Sequence, residues 1–367
     1  MNSKAPRTYF YLPKVYWEIE EDLLPVLDRY FTGEWSFSDL WEWHVQSHPS
    51  LKSDGLFAWI VQPYLYLKSR GLPCELTPEI KPEGIIVCAG KFVDQEIRPG
   101  KACVFIVAKG DGPAIKYAQI HLVGNAHEDL IRRSSRTWKN KFIPHFPHPG
   151  LMPRDLSHGD RLQNIAYMGL DTNLAPELRT EGWRKKLGEL GFRWKIVDRD
   201  RWHDYTDIDA IVAVRSFDSR TYTWKPASKL FNAWLAGTPA ILGAESSFQS
   251  ERKSALDYIE VKSPEAIIEA LITLRNDQKL RQKMVENGLV RSKYIQPEAV
   301  VDRWEEFIRS EVYNYYDQWS SMSQLKRRLF MLKREFDIEI RKPIRANIIQ
   351  LKGKLKGKVK RALSLSK

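Results

Sequence analysis

The sequence holds few cysteines: three in 367 residues, Cys74, Cys88 and Cys103, an odd number with no CxxC spacing. A disulfide scaffold and a closely spaced thiolate metal site are excluded on that ground. Cys88 and Cys103 sit in apolar, strand-like runs where a free thiol behaves as a small hydrophobe, so all three are expected to be buried and reduced. Long apolar runs are also missing. The longest, such as DAIVAV at 209–214, are strand-sized, far short of the ~18 to 20 residues that cross a bilayer, so no transmembrane helix is expected. The opening stretch, MNSKAPRTYFYLPKVYWEIEED, contains no apolar segment of signal-peptide length and reaches acidic residues by Glu18; export is not expected, and a cytoplasmic location is. No internal repeat is evident, which argues against a solenoid.

Excess charge is absent from most of the chain. The net charge is +12, yet residues 324–367 hold 15 of the 58 Lys and Arg and only three of the 46 Asp and Glu, leaving 43 of each sign in residues 1–323. A neutral body therefore carries a basic end.

What is present reads as α/β. The length exceeds the ~250 to 300 residues at which one core stops growing, so two domains are expected: residues 1–150, residues 151–300, a helix at 301–323 and a basic tail at 324–367. In the first half, residues 8–12, 74–77, 83–88, 102–108 and 117–123 are β-rich and bounded by Gly and Pro, whereas the Trp- and His-rich stretch 33–53 gives no clear assignment. Residues 144–155 (PHFPHPGLMPRD) contain four prolines and a glycine, which suit an interdomain linker and exclude helix interior. In the second half, NIAYM (164–168), FRWKIV (192–197), DAIVAV (209–214) and PAIL (239–242) alternate with helical stretches at 174–190 and 226–236. That rhythm predicts a parallel sheet wrapped by helices. Ser263-Pro264-Glu265 marks a further helix start, with helices expected to Asn276, at 278–294 and at 297–313.

The segment 222–243, YTWKPASKLFNAWLAGTPAILG, carries the most chemistry. A loop delivers Lys225 and Ser228 to the first turn of a helix, where unpaired N–H groups and the helix dipole favour an anion. Lys229 lies four residues after Lys225, so both ammonium groups reach the same side and can grip a diphosphate. Gly237-Thr238-Pro239 then turns the chain into the next strand, in a sheet type that binds ligands beyond the carboxyl ends of its strands.

The run KLFNAWLAGTPAIL (229–242) is similar to the donor-site helix of GT-B glycosyltransferases, where a Lys-Leu pair, an acidic residue, small residues and Gly-x-Pro precede an apolar strand. The order that follows matches too: a loop with Glu245, an LDYI strand-like element, a Ser-Pro helix start, two helices and a last helix that in this superfamily crosses back onto the amino-terminal domain. The resemblance covers about 164–313. It implies two Rossmann-like domains facing a cleft, and transfer of a sugar from a nucleotide-diphosphate sugar to a glycan or lipid-linked acceptor, as in polysaccharide biosynthesis. It also implies donor contacts from Gly169, Arg215, Lys225, Ser228, Lys229, Asn232, Gly237 and Thr238, with no metal and no cofactor besides the donor. Retaining members carry two glutamates eight positions apart; Trp224 and Asn232 stand there, which leaves base, sugar and stereochemistry open. The segment is also similar to the donor loop of GDP-fucose-dependent fucosyltransferases. A non-catalytic scaffold with the same fold is the alternative. Candidates for acid or base are His121, His127 and Asp111, near strand ends of the first half; Arg154 and Arg161 are expected to face the cleft.

In the tail, Ile344, Ile348, Leu351, Leu355, Val359 and Leu363 recur mostly in steps of four amid Lys352, Lys354, Lys356, Lys358, Lys360 and Arg361. An apolar face ringed by cations fits an anionic membrane surface, reached through residues 324–367, and a peripheral location. Deleting 324–367 is then expected to leave the body folded. No nucleic-acid reader motif accompanies the charge, and no such partner is expected.

Overall fold

The computed structural model describes residues 5–19, 23–47, 55–128 and 139–341. Two parallel sheets organise it. In the amino lobe, β1 (Thr8–Tyr11), β2 (Cys74–Thr77), β3 (Gly84–Ala89), β4 (Cys103–Ala108), β5 (Ile120–Val123) and β6 (Lys139–Phe142) lie in the order β2-β1-β3-β4-β5-β6, every neighbouring pair parallel. In the carboxy lobe, β7 (Asn164–Met168), β8 (Arg193–Val197), β9 (Ala210–Ala213), β10 (Ala240–Gly243) and β11 (Ile259–Val261) lie in the order β11-β10-β9-β7-β8, again all parallel. Each lobe thus reverses strand order beside its first strand, between β1 and β3 and between β7 and β9, and such switch points open a crevice at the carboxyl ends. The expected α/β fold of two Rossmann-like domains is present.

The central strands β3, β4, β5, β7, β9 and β10 are buried along their whole length. Helices cover both faces of such sheets, which is why these strands read as unbroken apolar runs rather than alternating ones. Edge strand β6, KNKF, has no such run, so apolar pattern alone does not mark it. The three cysteines are free and buried, as expected. Part of the unassigned stretch forms the helix Phe37–Ser47, capped by reciprocal bonds between Ser36 and Asp39.

Several boundaries move for local reasons. The helix expected from 174 begins only at Glu181, because Thr180 caps it through the Trp183 N–H; residues Pro176–Arg179 form a separate 3-10 turn. The helix expected from 226 begins at Ser228. Before Pro63, residues Phe57–Val61 form a π-turn that runs into the helix Gln62–Ser69, with the proline in the first turn where its missing N–H costs nothing.

The chain returns to its first lobe near its end. Ile295 packs in the carboxy-lobe core, whereas Val300, Val301, Trp304, Phe307, Ile308, Val312 and Trp319 complete the amino-lobe core beside Phe10 and Leu65. One nearly continuous helical stretch supplies them: Pro297–Glu306, a π-turn Phe307–Val312 and Tyr313–Ser321. The helix Gln324–Glu335 also belongs to the body. Phe330 packs edge-on against Trp319 at 5.0 Å, Glu335 accepts from Arg98 and from the Tyr117 hydroxyl, and Lys116 pairs with Glu339 at 2.8 Å. A deletion from 324 would therefore strip a docked helix, contrary to the expectation of an independent tail. The stripe from Ile344 to Leu363 lies outside the described residues, among which no helix is long and apolar enough to cross a membrane.

Candidate functional site

The two crevices open onto one cleft. A cavity of about 930 Å³ is lined from the amino lobe by the carboxyl ends of β3, β4 and β5 (Ala89, Ala108, Lys109, Gly124) and from the carboxy lobe by Arg215, Trp224, Lys225 and Ser228. A second chamber of about 380 Å³ shares Asp111, His145 and Ser228 with it and adds Gly169, Lys229 and Asn232. Together they have the size of a site for a small-molecule ligand. The lobes touch closely here: a Cβ on Gly124 would meet Pro226 Cβ at 3.2 Å, and the buried Asn125 amide donates to Ser246 Oγ at 3.0 Å.

On the carboxy-lobe side the sequence builds a cationic seat. Gly169 follows β7 and Arg215 follows β9, so they flank the switch point. The helix Ser228–Ala236 starts beside them with no side-chain cap and no acid in its first turn, leaving its first N–H groups available to an anion. Lys229 is partly buried, its ammonium 5.3 Å from the Tyr167 ring centre. Burial, then the nearby Arg215 charge, lowers its pKa to about 7, and Glu245 only partly offsets them. Glu245 is itself buried; burial pushes its carboxyl above the usual range against the pull of Arg215, whose Nε donates to it at 2.9 Å. That bond uses one end of the guanidinium, and Arg215 Nη1 has no hydrogen-bond partner. The buried Tyr167 hydroxyl has none either. Buried polar atoms are nearly always paired, so each of these groups keeps a hydrogen bond to give to a ligand beside Lys229 and Glu245. Lys225 forms an ion pair with Asp111 across the cleft. A β-carbon on Gly169 would stand 2.9 Å from Tyr167 Oη and 3.0 Å from Lys229 Cε, so the absent side chain keeps the seat open.

The loop into that helix is strained. Tyr222, at φ 49, is the sole non-glycine residue with positive φ among the described residues, and its carbonyl accepts from the Lys225 N–H at 2.9 Å. Such strain in a bulky residue persists where surrounding structure enforces it. The turn aims Lys225 at the cleft and leaves Trp224 41% exposed on its wall.

Not every expected residue reaches this place. Gly237 and Thr238 close the far end of the same helix: Gly237 stops it at φ 66, and the Thr238 hydroxyl bonds to the Ala233 carbonyl. They line neither chamber. Asn232 does line the second chamber, with its Oδ1 accepting from the His148 N–H at 3.1 Å. His121 is buried within β5, its Nε2 accepting from the Ile115 N–H at 3.0 Å, and His127 is exposed; neither lines the cleft. Arg154 and Arg161 do not face it either. Both bind the buried Asp209 carboxylate, at 3.0 and 3.1 Å, at the amino ends of β7 and β9. Burial alone would raise the pKa of Asp209, but the N–H groups of Asn164 and Gln163 with the two guanidiniums hold it below the usual range.

The histidines at the cleft are His145 and His148 of the proline-rich connection, not the expected His121 and His127. His145 stands edge-on to Trp59 at 5.0 Å and lines both chambers. Burial lowers its pKa to about 4, with Asp111 pulling the other way, so its ring is neutral at pH 7. His148 is lowered to about 4 for the same first reason and stacks on His203. The connection between two lobes necessarily borders the cleft they form, and that was the signal available. Among the described residues, no three His, Cys, Asp or Glu side chains gather as a metal site.

No protein-family model and no curated protein sequence matches this chain. Solved structures do resemble it in part. A sucrose-phosphate synthase from Thermosynechococcus elongatus is 13% identical over 63% of this chain and 74% of its own, at a TM-score of 0.45. Anabaena HepE in complex with UDP is 10% identical over 67% and 88%, at 0.45. The pneumococcal O-GlcNAc transferase GtfA in complex with UDP and GlcNAc is 11% identical over 71% of this chain at 0.44, and this chain spans only 60% of its length. The functional reading rests on the site itself.

Proposed function

We propose that this chain is a GT-B-type glycosyltransferase that takes a sugar from a nucleotide-diphosphate donor and passes it to a glycan or lipid-linked acceptor. The observation that carries this reading is that Arg215 and Lys225 line one chamber, Gly169 and Lys229 line the adjoining one, and the uncapped helix start at Ser228 borders both, at a switch point. Breaking the bond from the anomeric carbon to the diphosphate leaves negative charge on the leaving oxygen. Cations fixed beforehand around that oxygen stabilise the transition state more than the ground state. Acceptor-hydroxyl activation falls to His145, which lines both chambers together with Asp111: its ring nitrogen takes the hydroxyl proton as the oxygen attacks the anomeric carbon and the bond to the diphosphate breaks.

Thermal-shift measurement against UDP-, GDP-, ADP- and CMP-sugars tests the reading. One of them is expected to raise the melting temperature, because a ligand bound only by the folded state adds to its stability. Lys229→Ala should remove that shift and the turnover together. His145→Ala should keep the shift while lowering transfer by roughly 10²- to 10⁴-fold, the usual contribution of an acid or base. A native chain that responds to no nucleotide sugar would point instead to a scaffold that kept the fold without the chemistry.

A further inference from the structure

The last described helix, Gln324–Glu335, and the turn that continues it, Phe336–Arg341, present two contrasting faces. The inner face is anchored: Phe330 lies on Trp319, the buried Arg334 sits 4.6 Å over the Phe330 ring, and Glu335 and Glu339 bond to Arg98, Tyr117 and Lys116. The outer face carries Leu325, Leu329, Leu332 and Phe336, which are 68, 54, 58 and 54% exposed. Their spacing of four, three and four residues places them in one stripe along the helix. They are four of the twelve most exposed large apolar side chains among the described residues. Soluble surfaces scatter such residues singly, and an aligned row of them marks an interaction site.

Charge identifies the partner. Lys326, Arg328 and Lys333 are exposed on the same helix, whereas its single acid, Glu335, is held inward. Residues 342–367 add nine Lys and Arg and no acid. Meeting a second copy of the same face would set Lys326, Arg328 and Lys333 against their own kind, since a two-fold contact pairs identical patches. A nucleic acid would match the cations but leave the leucines in water. We propose that this face docks on an anionic lipid surface, the leucines and Phe336 entering the boundary between headgroups and acyl chains while the lysines and arginines meet the phosphates. Because the helix is anchored to the amino lobe, docking fixes the orientation of the whole molecule on the membrane. The inference does not depend on the activity proposed above.

The experiment is co-sedimentation of the full chain with vesicles of phosphatidylcholine, with and without phosphatidylglycerol. The native chain is expected to pellet with the anionic vesicles, to stay in solution with pure phosphatidylcholine, and to bind more weakly as salt rises. Leu329→Asp/Leu332→Asp should lower partition by about tenfold or more, by loss of apolar insertion. Both positions are exposed, and an unchanged circular-dichroism melting curve shows that the fold survives. Leu325→Ser/Phe336→Ser, at the two ends of the stripe, supplies an independent second variant. Lys326→Glu/Lys333→Glu should weaken binding to the anionic vesicles with the stripe intact. The proposal is overturned if both stripe variants sediment like the native chain, if the native chain ignores anionic vesicles, or if the stripe variants convert a dimer to monomers without changing vesicle binding. It is equally overturned if duplex DNA holds the chain and vesicles do not.

Discussion

Lys229 spends its free state poorly solvated, with a pKa near 7, and a diphosphate beside it would restore the ammonium. The pH dependence of binding follows. Above about pH 7 the unliganded lysine is largely neutral, so binding must take up a proton and affinity falls as pH rises; below pH 7 the ammonium is already present and affinity levels off. Calorimetry in buffers of different ionisation heat measures that uptake directly, and no uptake at pH 8 would remove Lys229 from the diphosphate. The same depression weakens the empty fold: it is a penalty fully present below about pH 7 that fades as pH climbs towards the ordinary value of 10.5. Gly169 gives a steric test. Its β-carbon would crowd Tyr167 and Lys229, so Gly169→Ala should weaken donor binding while costing about 1–3 kcal/mol of stability, the usual range for overpacking. Isothermal titration and urea unfolding of the same variant separate the two effects.

At this scale the sequence revealed only part of the site. Lys225, Ser228 and Lys229 were legible because a local pattern, a loop running into a helix start, dictates where they point. Arg154 and Arg161 were not, because their partner Asp209 lies far along the chain and only the fold brings its carboxylate between them. His145 was hidden by its prolines, which announce a connection and say nothing of what the connection borders. The orphaned Tyr167 hydroxyl lies in a strand whose apolar run gave no hint of an unpaired group.

Among the elements, legibility followed burial. Strands covered on both faces announce themselves as apolar runs, whereas β6, at a sheet edge, does not. The helical stretch from Pro297 to Ser321 is visible as a helix start, whereas its return to the first lobe, which is not a local property, is expected only from the resemblance. Trp304, 1% exposed, packs near Phe10 of the first strand, their ring centres 6.3 Å apart. Trp304→Ala should therefore destabilise the amino lobe by about 3–5 kcal/mol, the cost of emptying a buried aromatic site. Urea unfolding followed by fluorescence of the amino-lobe tryptophans would register it, and a variant that loses only carboxy-lobe stability would contradict the packing.

For the whole molecule, two features stand apart: a cleft built from two strand-end crevices, and a docked helix with an exposed apolar face. Asn125 to Ser246, Lys225 to Asp111 and the His148 N–H to Asn232 join the lobes by polar contacts that line or border the cavity. A ligand that draws Lys225 away from Asp111 acts on the joint as well as on the seat. The return of residues 300–319 to the first core also sets an order of assembly. Domains generally fold as they leave the ribosome, the amino-terminal one first. Here the lobe made first lacks its closing helix until the second lobe has been synthesised, so the lobe made second is the one able to finish first.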